Sequence, residues 1–313
     1  YVGDAGLAKP EWMRRLIVDA DLILAVNIRF GEILTDGWSL FEPPNAKPKL
    51  IHSHASEGEL NKIYAAELPV HAGPNAFIGA LLEKGLAAKA EWAVRAANAR
   101  ALYLESLVAP PQPGALDMGV AMRWLQEYLP ADAIVTNGAG NFAIWPNKHF
   151  AFGPQQRLLA PQSGAMGYGL PAAIAAKIAR PDACVVCFAG DGDFQMTCAE
   201  LGTAAQAGAQ PIVLVFNNGA YGTIRMHQER TYPRRVSFTE LDNPDFVAMA
   251  KAYGFQAERV SRTEDFAAAF ERTVESETGA LLDLCVEIEG LTPRATLSAM
   301  RATAERNAGS ALS

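Results

Sequence analysis

The sequence has no long apolar run, few cysteines and no excess of positive charge, and each shortage excludes a class of protein. No hydrophobic stretch reaches the roughly 18 residues of a membrane-spanning helix. The 4 cysteines among 313 residues are too few for a disulfide scaffold. The 27 Lys and Arg against 34 Asp and Glu give a net charge of −7, which leaves no basic footprint for nucleic acid. The first residues lack a secretory pattern, and we expect a cytoplasmic protein.

What the sequence does contain is ample apolar material, with 50% hydrophobic and 19% charged residues. In the first third, apolar runs predict strands at 21–27 and 49–53, and the Ala-rich stretch from 75 to about 108 predicts helix. The Pro-rich segment 109–114 ends that helix and marks the main boundary. Two strands leave sheet edges unpaired, so we expect residues before Tyr1 to complete this first block.

Beyond the boundary, strands and helices alternate. Strands are predicted at 133–136, 183–189, 211–216, 256–260 and 281–288, and helices at 116–129, 170–179, 196–207, 245–253 and 264–276. The strands at 183–189 and 211–216 are apolar on both faces, which requires helices on both sides of the sheet. The sequence therefore predicts an α/β fold with a doubly wound parallel sheet.

The loop after strand 183–189 has the sequence Gly190-Asp191-Gly192-Asp193. Ligands of open α/β sheets bind beyond the carboxyl ends of the strands, and the helix that follows offers free N–H groups to an anion. Asp191 would repel a phosphate unless a cation lay between them. The loop therefore favours a metal-bridged phosphate.

The next strand ends in Asn217-Asn218-Gly219-Ala220-Tyr221-Gly222. Consecutive strands are usually neighbours, so this turn is expected beside the Asp191 loop. Carboxylate, amide and carbonyl oxygens are hard ligands that suit Mg²⁺ or Ca²⁺, and Mg²⁺ commonly completes its shell with phosphate oxygens and water.

This pairing of Gly-Asp-Gly with Asn217-Asn218 resembles the signature of thiamine diphosphate-dependent enzymes. Segment 162–173 is similar to the stretch that cradles the cofactor. Segments 217–225 and 291–298 resemble the group of acetolactate synthase large subunits and benzoylformate decarboxylase. The resemblance implies that residues 1–85 are the C-terminal half of a Rossmann-like central domain, 86–109 a helical linker, and 110–313 the diphosphate-binding domain.

The resemblance also implies roles for individual residues. Asp191, the Asn218 side chain and the Ala220 carbonyl would hold Mg²⁺. The catalytic roles would fall to Met166, a wedge under the thiazolium ring, and to the Gly164 carbonyl, an acceptor for the 4′-amino group. The other cofactor contacts would come from Gly138, Ala139, Gly140, Asn141, Ala165, Gly190, Gly192, Asp193, Tyr221 and Gly222. The sequence departs from the acetolactate synthases at Gly140-Asn141, where they have a Gln-His pair.

The implied chemistry is decarboxylation of a 2-keto acid, followed by ligation to a second carbonyl compound. The wedge would fold the cofactor so that its own imino nitrogen lies against the thiazolium C2–H, and such proximity contributes roughly 7–11 kcal/mol. The family also needs a glutamate from a pyrimidine-binding domain that this chain does not contain. We expect that domain from the same gene product or another subunit, at least a dimer, and no turnover by this chain alone.

Three alternative functions stay open at this point. One is a simple 2-keto acid decarboxylase of the benzoylformate type, and another is a cofactor-binding relic without catalysis. The third is a nicotinamide dehydrogenase, because segment 138–143 matches G-x-G-x-x-A. Trp145-Pro146 follows at once and no acidic residue lies about 20 positions on, so the context of a dinucleotide site is missing.

Three further observations concern individual residues. Cys184 and Cys187 are three apart on a strand and point to opposite faces, which favours buried structural thiols over a zinc site. Arg225 and His227 are candidate substrate contacts, although a surface helix explains them as well. Asn27 and Arg29 lie where some synthases of the group carry a structural FAD, and a surface turn accounts for them equally well.

Overall fold

The computed structural model describes residues 1–6, 9–85, 87 and 89–310. Its contacts divide the chain into two compact units, Tyr1–Glu105 and Ser106–Ser313. Among the described residues, no helix is both long and apolar enough to cross a bilayer.

The first unit contains a parallel three-stranded sheet with the order β1-β2-β3. Its elements are α1 (Glu11–Val18), β1 (Leu22–Val26), β2 (Lys49–His54), β3 (Leu68–His71), α2 (Pro74–Glu83) and α3 (Ala90–Ser106). Ala25, Leu50 and Tyr64 form its core with Leu40 and Phe41. The two predicted strands are present, but β3 was missed because its Leu-Pro-Val-His sequence is short and contains a proline. The prediction of continuous helix from 75 to 108 is wrong, because α2 ends before Gly85, which has a φ of 59°.

The second unit contains a parallel six-stranded sheet with the order β5-β4-β6-β7-β9-β8. Its strands are β4 (Ile134–Asn137), β5 (Arg157–Leu159), β6 (Val185–Gly190), β7 (Ile212–Asn217), β8 (Gln256–Val260) and β9 (Ala280–Cys285). Its helices are α4 (Met118–Tyr128), α5 (Ile144–Lys148), α6 (Gly169–Ala179), α7 (Asp191–Gln195), α8 (Glu200–Ala207), α9 (Gly222–Thr231), α10 (Phe246–Ala252), α11 (Thr263–Val274) and α12 (Leu297–Ser310).

Alternate residues of the central strands contribute to two separate cores. Val186 and Phe188 of β6 pack with α4 and α11, around Leu125 and Phe270. Cys187 and its odd-numbered neighbours pack on the other side with α6, α8 and α10. Because both faces of the sheet are covered, the predicted doubly wound α/β fold is confirmed.

The structure differs from the predicted elements mainly after β6. The helix predicted over 196–207 begins only at Glu200, and a separate short helix, α7, precedes it and begins at Asp191 itself. The last strand ends at Cys285, whereas 288 was predicted. In this unit β5, α5, α9 and α12 were not predicted, because their sequences are short or polar and show little apolar periodicity.

Candidate cofactor site

A cleft lies at the carboxyl ends of β4, β6 and β7, which are adjacent in the sheet. The chain leaves β4 toward β5 on one side and leaves β6 toward β7 on the other, so the strand order reverses between them. Such a reversal is where open α/β sheets bind ligands. The cleft encloses about 800 Å³ of space when the open solvent at its mouth is counted.

Most of the residues predicted for the site line this one cleft. They are Ala139, Gly140, Asn141, Met166, Gly190, Asp191, Gly192, Asp193, Asn218, Ala220, Tyr221 and Gly222. Gly138 and Gly164 do not line it, and Ala165 lines a separate surface groove with Tyr168. The sheet therefore brings together four segments that are distant in the sequence.

Asp191 is the first residue of α7 and is only 3% exposed. Its Oδ2 accepts backbone N–H groups from Asn218 at 3.2 Å, Gly219 at 2.8 Å and Ala220 at 3.3 Å. Its Oδ1 accepts the Gly192 N–H at 2.9 Å. Burial raises the pKa of the Asp191 carboxyl, and these hydrogen bonds oppose the rise. The carboxylate thus fastens the turn after β7 to the loop after β6.

Asp193 connects the same loop to two other segments. Its Oδ1 accepts the Gly167 N–H at 2.8 Å and the Ala139 N–H at 3.1 Å. Burial raises the pKa of Asp193 to about 6. A Cβ at Gly138 would overlap the Asp193 carboxylate, so the close approach of these loops requires glycine there.

Asp191, Asn218 and Ala220 present the donor set of a divalent cation site. The Asn218 Oδ1 accepts the Ala220 N–H at 3.1 Å, which holds the turn in shape. Within the described part of the chain, no backbone N–H is bonded to the Ala220 carbonyl. A buried carboxylate, an amide oxygen and an open carbonyl around one cleft are hard oxygen ligands. The residues present therefore fit Mg²⁺, and no cluster of three acidic, His or Cys side chains is found among the described residues.

Phe142 shapes the opposite side of the cleft, next to the position where the sequence departs from the acetolactate synthases. A Cβ at Gly140 would lie 2.6 Å from the Phe142 ring, and one at Gly190 would lie 2.7 Å from it. The neighbouring Asn141 donates its backbone N–H to Thr223 Oγ1 at 2.9 Å and its side chain to Met226 Sδ at 3.5 Å. The aromatic ring thus takes the space that a side chain at 140 would need.

Met166 lies on the loop that Asp193 holds. It lines the cleft between Gly164 and Gly167, whose φ angles are 68° and 77°. Thr197 fastens the same loop from another side, because its hydroxyl donates to the Gly167 carbonyl at 2.9 Å. The left-handed glycines on either side let this loop turn sharply and direct an apolar residue toward the cleft.

Several residues that line the cleft were missed from the sequence. Thr223 and Ile224 begin α9, Gln112 precedes α4, and Glu287 and Leu291 follow β9. A strand-end rule could have found Glu287, since ligands collect beyond the carboxyl ends of parallel strands. No local pattern indicates Gln112, which is placed by its hydrogen bond to the Pro293 carbonyl at 3.0 Å.

The structure places the other candidates away from the cleft. Arg225 is buried against Glu229 in an ion pair of 2.7 Å, and His227 is exposed on the same helix. Cys187 is buried, and burial raises its pKa to about 12 and that of Cys184 to about 11. These thiols pack on opposite faces of the sheet, as their spacing predicted.

The alternative dinucleotide motif and the FAD candidates are both in local turns. The segment after β4 forms a 3-10 helix, Asn141–Ala143, and then the five-residue α5, which gives no long helix to bind a pyrophosphate. In the first unit, Asn27 Oδ1 accepts the Ala55 N–H at 3.3 Å, and Arg29 pairs with Glu59 at 3.5 Å.

Comparison with protein families agrees with this geometry. Residues 1–81 match the central domain of the thiamine pyrophosphate enzymes. Residues 138–284 match the C-terminal TPP-binding domain of the same enzymes.

The similar curated proteins are acetolactate synthases. The isozyme 2 large subunit of Escherichia coli is 30% identical over 297 residues, which are 94% of this chain and 53% of that protein. The large subunit of Corynebacterium glutamicum is 33% identical over 269 residues, 82% of this chain and 42% of that protein. The mitochondrial catalytic subunit of Saccharomyces cerevisiae is 29% identical over 87% of this chain and 41% of its own length.

The chain therefore spans about half the length of the curated relatives it matches. Two consecutive domain matches, and a cleft built from the loops of the second, lead to the same conclusion. The chain belongs to the thiamine diphosphate-dependent enzymes, in their acetolactate synthase-like group.

Proposed function

We propose that this chain is the diphosphate-binding part of an enzyme that uses thiamine diphosphate and Mg²⁺ to decarboxylate a 2-keto acid and join the product to a second carbonyl compound. The observation that carries the proposal is the convergence of Asp191, Asn218 and Ala220 on the cleft at the strand-order reversal. The similarity to acetolactate synthases supports the carboligation.

In this proposal different residues of the cleft bind the metal ion and the diphosphate. Asp191, Asn218 and the Ala220 carbonyl hold Mg²⁺, and the backbone N–H groups of Gly192 and Asp193 face the diphosphate. The remaining contacts come from the other residues predicted for the site, including Gly138, Gly164 and Ala165. When bound, thiamine diphosphate supplies the carbon nucleophile and the electron sink for loss of CO₂.

Apolar side chains around the cleft exclude water from the reacting centre. Phe142 follows β4, Met166 lies on the loop after β5, and Phe216 lies in β7. Val286 and Leu291 follow β9. A site that excludes water strengthens the electrostatic interactions inside it. Met166 is the side chain that we assign to fixing the bend of the bound cofactor.

We also propose the organisation of the whole enzyme. Residues 1–85 form half of a central domain, 86–109 a linker and 110–313 the diphosphate-binding domain. A pyrimidine-binding domain, from the same gene product or another subunit, supplies the glutamate that the cofactor needs. The enzyme is a cytoplasmic homodimer or homotetramer, and this chain alone has no turnover.

The test is calorimetric titration with thiamine diphosphate, with and without Mg²⁺, of wild type, Asp191→Ala and the control Asp182→Ala. Asp182 is an exposed turn residue of the same unit. We expect Mg²⁺-dependent binding in wild type and control, and none in Asp191→Ala. The metal assignment is contradicted if wild type binds thiamine diphosphate equally well without Mg²⁺, or if Asp191→Ala binds it as well as wild type does.

A further inference from the structure

Asn243, in the segment between α9 and α10, reaches the Asp191 carboxylate from 52 positions away in the sequence. Its Nδ2 donates to Asp191 Oδ2 at 2.8 Å and to Asn217 Oδ1 at 2.9 Å. Its Oδ1 accepts from Gln195 Nε2 at 2.9 Å. Both N–H groups and the oxygen of this amide are used, so its orientation is determined on both sides.

The hydrogen bonds continue from Asn217 to a buried charge. Asn217 Nδ2 donates to Asp283 Oδ1 at 2.9 Å, and Arg259 Nε donates to Asp283 Oδ2 at 2.9 Å. Asp283 lies inside β9 and is fully buried, whereas the Arg259 side chain is 51% exposed. The carboxylate at the cleft is therefore connected to a surface arginine through two amides and a buried aspartate.

The two carboxylate oxygens of Asp191 accept different numbers of hydrogen bonds. Oδ2 accepts three backbone N–H groups and the Asn243 amide, whereas Oδ1 accepts the Gly192 N–H. An ionised carboxylate has about four acceptor positions in all, two on each oxygen. Oδ2 is thus saturated, and Oδ1 is the oxygen that keeps a free acceptor position.

We propose that Asn243 is a positioning residue for Asp191. By occupying Oδ2, it fixes the rotation of the carboxylate so that Oδ1 is the oxygen offered to a divalent cation. This inference rests on the proposed function, in which Asp191 binds Mg²⁺. Partners of metal ligands orient those ligands, and removing them typically lowers metal affinity 10–100-fold.

The contact with the backbone turn gives a readout that does not need the metal. The Gly219 N–H donates to Asp191 Oδ2 at 2.8 Å, the shortest of the three backbone contacts to that oxygen. If Asn243 holds the carboxylate, its loss frees the carboxylate to rotate and weakens this bond. Hydrogen exchange of the Gly219 amide then accelerates in the metal-free chain.

The experiment compares wild type, Asn243→Ala, Asn243→Leu and the control Gln126→Ala. The leucine variant retains the volume of the side chain and loses its donors, which separates hydrogen bonding from packing. Gln126 is a matched control, because it makes two hydrogen bonds with the Ala151 backbone, at 2.5 and 3.2 Å, outside the cleft. The probe is Mn²⁺, whose binding is measured by electron paramagnetic resonance with thiamine diphosphate present.

We expect both Asn243 variants to bind Mn²⁺ about tenfold more weakly and to exchange the Gly219 amide faster, while Gln126→Ala does neither. If both Asn243 variants retain the wild-type Mn²⁺ affinity and the wild-type exchange rate of the Gly219 amide, this inference is wrong and the proposed function is unaffected. Wild-type behaviour in Asn243→Leu but not in Asn243→Ala also overturns it, since packing would then be the cause. If wild type itself fails to bind Mn²⁺, the proposed function fails and this inference falls with it.

Discussion

Asp193 in α7 accepts the backbone N–H of Gly167 at 2.8 Å, so an acidic residue of one loop holds the loop that carries Met166. The same oxygen accepts the Ala139 N–H at 3.1 Å. One buried carboxylate thereby sets the spacing of three segments around the cleft.

Replacing this carboxylate leaves two backbone donors without an acceptor. We expect Asp193→Ala to lose about 2–4 kcal/mol of unfolding free energy, because each unpaired buried N–H costs about 1–3 kcal/mol. Asp193→Asn retains Oδ1 as an acceptor and loses about 1 kcal/mol. Urea unfolding of both variants, with hydrogen exchange of the Gly167 amide, measures this. Equal losses in the two variants would show that the hydrogen bonds are not the cause.

Glu229 in α9 anchors α12 and supplies a pH-dependent part of the stability. Arg301 donates to both of its oxygens at 2.9 and 2.8 Å, and Arg225 approaches at 2.7 Å. These arginines lower the pKa of Glu229 from 4.5 to about 2. Because the pKa is lower in the folded protein than in the unfolded chain, the ionised Glu229 stabilises the fold at pH values above about 4.5. About 3 kcal/mol of the unfolding free energy is lost as the pH falls from about 4.5 to 2.

Glu229→Gln removes that charge from between the arginines. We expect a loss of about 3–5 kcal/mol at pH 7, because breaking a buried ion pair leaves uncompensated charge. The difference from wild type shrinks as the pH falls below 4.5. The control is Glu264→Gln, which removes a carboxylate whose ion pair with Arg262 is exposed and screened by water. Denaturant unfolding between pH 7 and pH 3 measures both, and a constant difference between wild type and Glu229→Gln argues against the ion pair.

Glycine is needed at position 140 because the Phe142 ring leaves no room for a Cβ there. The backbone of Gly140 is extended and would accept any residue. We expect Gly140→Ala to cost about 1–3 kcal/mol through overpacking, and to cost almost nothing when Phe142→Ala is present. Thermal unfolding in a double-mutant cycle measures the coupling. Gly153→Ala is the control, since its Cβ would meet Gln156 at an ordinary 3.6 Å. Additive costs at 140 and 142 would exclude the ring as the obstacle.

Met166→Ala tests the role of the apolar side chain on the loop held by Asp193. In the complete protein, we expect Mg²⁺-dependent binding of thiamine diphosphate to stay within about twofold, because the diphosphate contacts are unchanged. Exchange of the C2 proton of the cofactor slows by about tenfold or more, since its bend is no longer fixed. Calorimetry and proton NMR measure these two quantities. The control is Met196→Ala, at an exposed position, and equal exchange rates in the two variants would remove the assigned role.

The central strands were predictable because their physical signal is local. Residues 185–189 and 212–216 are apolar without alternation, and a strand with that pattern has to be covered on both faces. The short β5 and the polar α9 carry no such signal. Their conformations depend on neighbours, as in α9, where Glu229 is buried by arginines from its own helix and from α12.

Apart from the family resemblance, the sequence predicted within the site only those residues that come directly after a strand. Asp191 and Asn218 come directly after β6 and β7, and the parallel pairing of those strands brings them to one edge. Asn243 follows no strand and lies on a segment without regular structure, so nothing local indicates that it touches Asp191.

The doubly wound fold, the loops that bear the chemistry and the types of ligand atom they offer can be inferred from the amino-acid sequence. These depend on local composition and on the general geometry of parallel sheets. The contacts of Asp193 with Gly167, of Phe142 with Gly140 and of Asn243 with Asp191 are visible only in the folded protein. Contacts between distant segments depend on how whole elements pack, and packing is a property of the folded chain that local sequence patterns do not encode.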